Sequence, residues 1–279
     1  MVIRLTKLLG GMVVWLVDRL TGIVRRSLGR KNPGTCVVLY YHIVNEKCRT
    51  KFARQMDWLV KRCKPISADA LQHLEAGVRH AAVTFDDGFC SAVQTALPEL
   101  EIRNIPATIF MSSGCLGQHP SWEGVEEAIR NEVVVTAEQL KRVNESPLVS
   151  IGSHCMTHSN LVHMDGAQAK EEILESKVQL EAILNSNVRL LSFPFGAYDR
   201  SHISCALDAG YERVFTTAPA MITEGIAPTN VIGRVKADPT DWPLEFRLKL
   251  QGAYRWLPLA FSIKRTLKCA IRGSRIGRQ

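Results

Sequence analysis

Four residues of this sequence have side-chain types and spacing that could do chemistry together. Asp86 and Asp87 stand side by side after the apolar run "AAVTF", and His154 and His158 lie four residues apart in "GSHCMTH". Two imidazoles and one carboxylate can hold zinc or a similar divalent ion and leave positions open for water. A second carboxylate near that water can act as its general base. The four residues therefore predict a hydrolytic metal site in which one aspartate binds the ion and the other accepts a proton.

The spacing of the histidines alone is less informative. Two ordinary histidines at a helix start would show the same H-x-x-x-H pattern, and it gains meaning only beside a carboxylate at a strand end. If His154 and His158 share a helical turn, their rings project from one face and can converge on one ion.

Short apolar runs precede these residues. The runs are apolar on both faces, as parallel strands covered by helices are. The candidate strands are residues 35–41, 81–85, 107–111, 148–151, 188–193, 213–217 and 231–235. Helical patterns lie between them, so the sequence predicts an α/β fold: a distorted, incomplete (β/α) barrel of about seven parallel strands. In such barrels the functional groups stand at the C-terminal ends of the strands.

The helical patterns have recognisable beginnings. Thr136 and Gln139 resemble a capping box, and Asp199 has the position of an N-cap. The predicted helices cover residues 52–63, 68–77, 90–103, 137–145, 167–185 and 200–209. A segment between the third and fourth strands, "GCLGQHPSWEGVEEAIRN", is predicted to be a long insertion.

The charge is concentrated at the two ends of the chain. Residues 1–34 carry seven Lys/Arg and one acid, residues 247–279 carry nine Lys/Arg and no acid, and the net charge of the whole chain is +8. The middle is therefore acidic, which excludes a uniformly basic nucleic-acid-binding protein. The pattern predicts three parts: a basic amphipathic N-terminal tail over 1–34, a barrel domain over 35–245, and a basic helical C-terminal tail over 246–279.

The N-terminal tail has the pattern of a membrane-surface helix. Apolar residues recur at helical spacing from Leu5 to Ile23, charged residues such as Arg4 and Arg25 fall on the other side, and Trp15 suits a lipid interface. Its apolar run is too short to span a bilayer, and no signal-peptide cleavage site follows it. We expect both tails to lie on an anionic membrane surface; the alternative is two solvated helices packed on the body.

The cysteines indicate the compartment. All eight are scattered singly, without a C-x-x-C pair. This usage is typical of free thiols in a reducing compartment, so the expected location is the cytoplasm, at the cytoplasmic face of the membrane.

The motifs together resemble a known family. "TFDDG", "GSHCMTH" and "FPFGAYD", with "VLYYHIV" before them and "GYERVFTT" after them, are similar to the polysaccharide deacetylases of carbohydrate esterase family 4, the NodB-homology domain. The resemblance covers roughly residues 35–236. It implies a metal-dependent hydrolysis of an N-acetyl group on an amino sugar.

The resemblance also implies a role for each matched residue. Asp86 would be the catalytic base, and Asp87 would bind the metal with His154 and His158. The oxyanion would be held in part by a backbone N–H of the "PFG" turn, that of Phe195.

The sequence departs from the family pattern in two places. Ser192 stands where the R-x-P-Y motif of the family has the arginine that orients the base, and Phe195 replaces its tyrosine. Arg234 could supply that charge. The late Leu-x-His motif, which supplies the acid for the departing amine, has no counterpart, and His42 at the end of the first strand could take over part of this role. His163, in "LVH", lies in the wrong place.

Three other functions remain open at this point. A deformylase or another amide hydrolase could use the same metal site. A non-catalytic, metal-containing carbohydrate-binding module would explain the missing acid and arginine. A membrane-surface interaction protein could use the barrel as a scaffold only.

Overall fold

A computed structural model describes residues 2–226 and 229–262 of the chain. Within these ranges the strands belong to one sheet. They are β1 (Thr35–Tyr41), β2 (Lys64–Pro65), β3 (Arg79–Phe85), β4 (Ala107–Met111), β5 (Val149–Ser153), β6 (Leu190–Ser192), β7 (Arg213–Thr216), β8 (Ile222–Thr223), β9 (Val231–Gly233) and β10 (Val235–Lys236).

The sheet closes on itself almost completely. Its order is β10-β1-β3-β4-β5-β6-β7-β9, and all neighbours along this path are parallel. Only Arg234 separates β9 from β10, so one stretch of chain pairs with β7 on one side and with β1 on the other. The short β8 and β2 lie off the path and pair with β1 and β3. The predicted distorted (β/α) barrel is therefore confirmed, with seven strand positions around it.

Alternation along the strands separates two apolar clusters. In β1, Val37, Leu39 and Tyr41 belong to the large cluster beneath the helices, whereas Cys36 and Val38 belong to a smaller cluster that also contains Phe110 and Phe215. Successive strand residues point to opposite faces, so the second set fills the barrel interior. In β3 the same period carries Ala82 and Thr84 inward, and it places the next inward position at Asp86.

Seven helices surround the barrel in the described part of the chain. They are α1 (Val2–Ser27), α2 (Arg49–Arg62), α3 (Leu97–Glu101), α4 (Ala137–Asn144), α5 (Gly166–Leu184), α6 (Arg200–Asp208) and α7 (Pro243–Leu250). The capping box of Thr136 and Gln139 at α4 is confirmed, as is Asp199 as the N-cap of α6, where His202 completes a second capping box.

The helix predicted over 68–77 is wrong. This segment contains a single 3-10 turn, Ala68–Ala70, followed by turns that lead into β3. Its apolar residues Leu71 and Leu74 pack on the cluster inside the barrel instead of forming a helix face. Gly77 then adopts a positive φ of 79°, which ends any regular helix before the strand.

The two tails are integrated with the barrel to different degrees. The boundary expected between 245 and 246 falls inside α7, whose Phe246, Leu248 and Leu250 join the main core. Helical structure resumes over 257–262, and the rest of the predicted C-terminal tail lies outside the described residues. In α1, Arg4 pairs with Glu245. Among the helices of the described ranges, none has the length and apolarity needed to cross a bilayer.

Candidate active site

A buried ion pair lies at the top of the barrel interior. Nη1 and Nη2 of Arg234 donate to Oδ1 and Oδ2 of Asp86 at 2.7 and 2.8 Å, and both side chains are shielded from solvent. Burial alone would raise the pKa of Asp86, but the charge and the hydrogen bonds of Arg234 outweigh it and bring the pKa to about 2. The carboxylate is therefore ionised and fixed in orientation by a bidentate contact.

The rest of the Arg234 side chain is fixed by the barrel wall. Its Nη1 also donates to Oγ1 of Thr84 at 3.1 Å, and its Nη2 donates to Oγ of Ser192 at 2.7 Å. The guanidinium lies over the rings of Tyr40 and Phe110, with centroid distances of 4.7 and 5.2 Å. Because Ser192 has a small hydroxyl side chain, it leaves room for the guanidinium of Arg234, which comes from the β9–β10 segment two strand positions away.

Asp87, His154 and His158 form a compact, buried cluster of possible metal ligands. One ligand atom from each lies within 4.8 Å of the others. Oδ1 of Asp87 is 3.0 Å from Nε2 of His158 and 3.5 Å from Nε2 of His154, yet in the described part of the chain it accepts no hydrogen bond. A buried carboxylate oxygen without a donor is costly unless a cation satisfies it.

The protonation state of His154 fits a metal ligand. Its Nδ1 donates to the carbonyl of Ser192 at 2.7 Å, so Nε2 carries the free lone pair and faces the cluster. Burial lowers the pKa of His154 to about 4, and the nearby carboxylates only partly oppose this. A neutral imidazole with a fixed tautomer is the form that binds a divalent ion, and the donor set fits such an ion.

The segment that carries both histidines is an irregular loop, so the expectation of a shared helical turn is wrong. Residues 154–160 have no helical structure, and Cys155 and His158 have positive φ values of 60° and 59°. The buried Glu172 of α5 holds the loop by accepting from the backbone N–H groups of Met156 and Thr157 at 3.0 and 2.9 Å. The two rings thus converge through tertiary contacts, not through helical periodicity.

Backbone strain is concentrated at this site. Asp87, His158 and Phe195 are non-glycine residues with φ near +60°, a conformation that costs free energy and persists where the surroundings impose it. Gly88, which directly follows Asp87, has φ of 67°, and a Cβ there would lie 2.2 Å from Sδ of Met111. The two-aspartate turn therefore requires its glycine both for backbone geometry and for space.

The "PFG" turn follows β6 and faces the same cluster. Phe195 has φ of 59° and ψ of 0°, and its ring contacts His158 edge-on at 4.8 Å. Within the described residues its backbone N–H donates to no acceptor, whereas the N–H groups of Gly196 and Ala197 close the turn. An unpaired N–H beside a metal-ligand cluster is suited to hold a developing oxyanion.

These groups line a pocket of about 360 Å³ at the C-terminal end of the barrel. His42 lines it as well, half-buried, and its charge helps to lower the pKa of both Asp86 and Asp87. The structure thus places near one pocket every residue that the sequence nominated, except that Arg234 lies beneath it, behind Asp86.

The sequence reasoning missed one prominent residue, Trp122. Its ring stacks on His158 with a centroid distance of 4.1 Å and an interplanar angle of 26°, and it also stacks on the ring of Phe89 with a centroid distance of 6.1 Å. It belongs to the long insertion between β4 and α4. The insertion was visible in the sequence, but nothing in it indicated which residue would return to the metal cluster.

Comparisons with known proteins agree with this geometry. The family model described as "Polysaccharide deacetylase" matches residues 73–214, about half of the chain. The chain belongs to the polysaccharide deacetylase family. As a member it is a hydrolase that acts on N-acetyl amide bonds, so the module and scaffold alternatives are not favoured.

Three relatives of this polysaccharide deacetylase illustrate the match. YxkH of Bacillus subtilis (strain 168), whose name places it with the polysaccharide deacetylases, is 25% identical over 200 residues, which are 68% of this chain and 67% of that protein. The structure of IcaB from Ammonifex degensii has a TM-score of 0.64 and 26% identity, and the match covers 78% of this chain and 98% of that one. The Streptococcus pyogenes deacetylase PplD, solved with acetate, shares the fold with a TM-score of 0.64, 18% identity and coverage of 78% and 99%.

Some candidate site residues of this deacetylase lie inside the region that the family model matches, and others lie outside it. Asp86, Asp87, the two histidines and Phe195 lie inside the matched residues, whereas His42 and Arg234 lie outside them. The predicted metal ligands and the two departures at Ser192 and Phe195 therefore all lie within the region that the family model matches.

Proposed function

We propose that this polysaccharide deacetylase removes the N-acetyl group from an amino sugar by metal-dependent hydrolysis, with zinc as the metal. The observation that carries the proposal is the juxtaposition of two buried carboxylates in different environments. Asp86 is paired with Arg234, whereas Asp87 faces the imidazoles of His154 and His158 at the same pocket. Because the two carboxylates have different neighbours, we assign them different catalytic roles.

The ion would be held by Asp87, His154 and His158. When bound, a divalent ion polarises the amide carbonyl and makes water a better nucleophile at neutral pH. Those three residues would hold it, and the backbone carbonyl of Ser192 fixes the ring of His154 by accepting from its Nδ1.

The remaining groups of the chain move protons and stabilise charge. Asp86, held ionised by Arg234, accepts a proton from the attacking water. The backbone N–H of Phe195 donates to the oxygen that gains charge as the carbonyl becomes tetrahedral. His42 donates a proton to the departing amine, since its imidazole lines the same pocket. Trp122 and Phe195 flank His158 and exclude water from one side of the cluster.

Paired variants of the adjacent aspartates test this assignment. We expect Asp87→Asn to lose bound zinc, measured by elemental analysis of the purified protein, together with acetate release from N-acetylated saccharides. Asp86→Asn should retain zinc and lose acetate release by at least about a hundredfold, the scale of general base catalysis. Glu123→Gln, an exposed change in the same insertion as Trp122, is the control. Full acetate release by Asp86→Asn would contradict the mechanism.

We further propose that α1 rests on an anionic membrane and that the substrate is a lipid-linked or membrane-proximal amino sugar. On its barrel side the helix packs Leu8, Val14 and Trp15 against the core, and Arg4 pairs there with Glu245. Its opposite side is apolar and exposed along the whole helix. Exposed fractions of large apolar side chains there include 62% for Leu9, 63% for Val13 and 55% for Leu20. An amphipathic helix with this arrangement suits the boundary between headgroups and acyl chains.

Vesicle co-sedimentation tests the membrane proposal. Val13→Glu with Leu20→Glu should abolish binding to phosphatidylglycerol vesicles while acetate release from soluble saccharides is retained. The matched control is Val162→Glu with Val178→Glu, which introduces the same charges at exposed apolar positions away from α1. Equal vesicle binding by the two double variants would refute the role of α1.

We place the protein at the cytoplasmic face of the membrane. The seven cysteines within the described residues are free thiols, and burial raises the pKa of several of them, including Cys63 and Cys115 to about 11. Free thiols are typical of a reducing compartment. Thiol labelling of intact cells with a membrane-impermeant reagent tests this placement, and labelling of the native protein without cell lysis would oppose it.

A further inference from the structure

A second cavity lies at the opposite end of the barrel from the candidate active site. Its volume is about 690 Å³, and it is enclosed by α1, the ends of α2 and α7, and the first residues of β1 and β3. Arg79 begins β3, whereas Asp86 directly follows the end of that strand. A seven-residue strand is about 23 Å long, so one amino sugar cannot occupy both sites.

The lining of this cavity is strongly basic. Six arginines contribute to it: Arg19, Arg25, Arg26, Arg62, Arg79 and Arg247. Within the described residues none of the six forms a salt bridge. The acidic side chain of the lining, Asp18, is already paired with Arg255. The cavity thus concentrates positive charge without ion-pair partners on one concave surface, which attracts anions.

Arg247 occupies the most protected position of the six. Its guanidinium lies 3.5 Å from the centroid of the Trp58 ring, and its Nε is buried without a hydrogen-bond acceptor in the described part of the chain. Arg62 approaches the same ring at 5.3 Å. An unsatisfied buried donor costs free energy that a bound acceptor would recover. The indole ring holds the two guanidinium planes in place.

We propose that this cavity binds a phosphate-bearing anion. Phosphate fits this lining because arginine forks bind its oxygens in pairs, and a diphosphate can engage several arginines at once. The phosphate group could belong to a lipid headgroup, since α1 forms one wall of the cavity, or to a soluble molecule. In either case this site is distinct from the deacetylase site and does not depend on the metal.

Pyrophosphate binding to the full-length protein, measured by isothermal titration calorimetry, tests the proposal. The cavity variant is Arg62→Gln with Arg79→Gln. Its control, Lys51→Gln with Arg54→Gln, removes the same charge from exposed positions of α2 outside the cavity. All four side chains are exposed, so both variants should keep the wild-type melting temperature. Loss of two arginine contacts should weaken binding at least about tenfold, against less than about twofold in the control.

A second arm of the experiment, vesicle sedimentation, distinguishes a lipid headgroup from a soluble phosphate-bearing molecule. The same variants are sedimented with phosphatidylglycerol vesicles and with neutral phosphatidylcholine vesicles. Weakened pyrophosphate binding with unchanged phosphatidylglycerol binding in the cavity variant alone supports a soluble ligand, and weakened binding of both supports a lipid headgroup. Unchanged pyrophosphate binding with weakened phosphatidylglycerol binding in the cavity variant alone supports a lipid headgroup. If the cavity variant and its control behave alike in both arms, the proposal is wrong.

Discussion

Arg234→Met would leave the Asp86 carboxylate buried without its ionic partner. The two side chains are joined by hydrogen bonds of 2.7 and 2.8 Å and have solvent-exposed fractions of 0% and 3%. Removing one partner of such a pair costs about 3–5 kcal/mol, because the other charge remains desolvated. We expect this loss in the free energy of unfolding in urea at neutral pH, together with a large loss of acetate release.

The difference in the free energy of unfolding between wild type and Arg234→Met should depend on pH, because the pKa of Asp86 is depressed in the wild type. It lies at about 2, below the ordinary value of 3.8. A depressed carboxylate pKa contributes stability that is fully present above about pH 4 and is lost as the pH falls toward 2. This contribution is about 2 kcal/mol on the linkage relation. Because burial without Arg234 raises the pKa of Asp86, the stability gap between wild type and Arg234→Met should narrow from above pH 4 down to about pH 2, measured on chelator-treated protein.

A double-mutant cycle tests whether the stability loss arises from the unpaired charge of Asp86. If the cost arises from an unpaired charge, Asp86→Leu combined with Arg234→Met should recover most of the lost stability, because both charges are then absent. The double variant remains inactive, which separates the stability effect from catalysis. Costs that simply add, or a single-variant cost below about 1 kcal/mol, would show that the pair does not act as described.

Three further predictions concern the surroundings of the metal cluster. Glu172→Gln weakens the carboxylate contacts to the 154–160 loop and should reduce zinc affinity about 10- to 100-fold, measured by chelator competition; unchanged affinity would contradict it. Trp122→Ala uncovers His158 and should lower kcat/KM for saccharides more than Trp122→Phe does, whereas equal kinetics would argue for a purely structural ring. Gly88→Ala meets Met111 and should lower the melting temperature by several degrees, while the control Gly166→Ala, in open space, should not.

Much of the chemistry was predictable from the sequence because it depends on local pattern. The strand period places Asp86 on the inward face after β3, and apolar runs followed by polar residues marked the ends of β5 and β6. All seven predicted strands occur, since apolar runs of this length indicate parallel strands that are buried on both faces. The helix predicted over 68–77 was wrong, because its apolar residues pack against the barrel interior and do not form one face of a helix.

The approach of Arg234 to Asp86 was decided by tertiary structure. The two residues are 148 positions apart, and they meet because the β9–β10 segment closes the barrel beside β1. The serine at 192 is a departure in sequence, but in the fold its hydroxyl accepts a hydrogen bond from that arginine.

By itself, the sequence determined which residues could bind a metal and activate water, because those properties belong to side-chain types at strand ends. The fold decided how they meet. Positive φ values and the buried Glu172 orient His158, an insertion returns Trp122 to it, and barrel packing turns the apolar side of α1 outward. Each of these depends on contacts between segments distant in the chain, which no local pattern encodes.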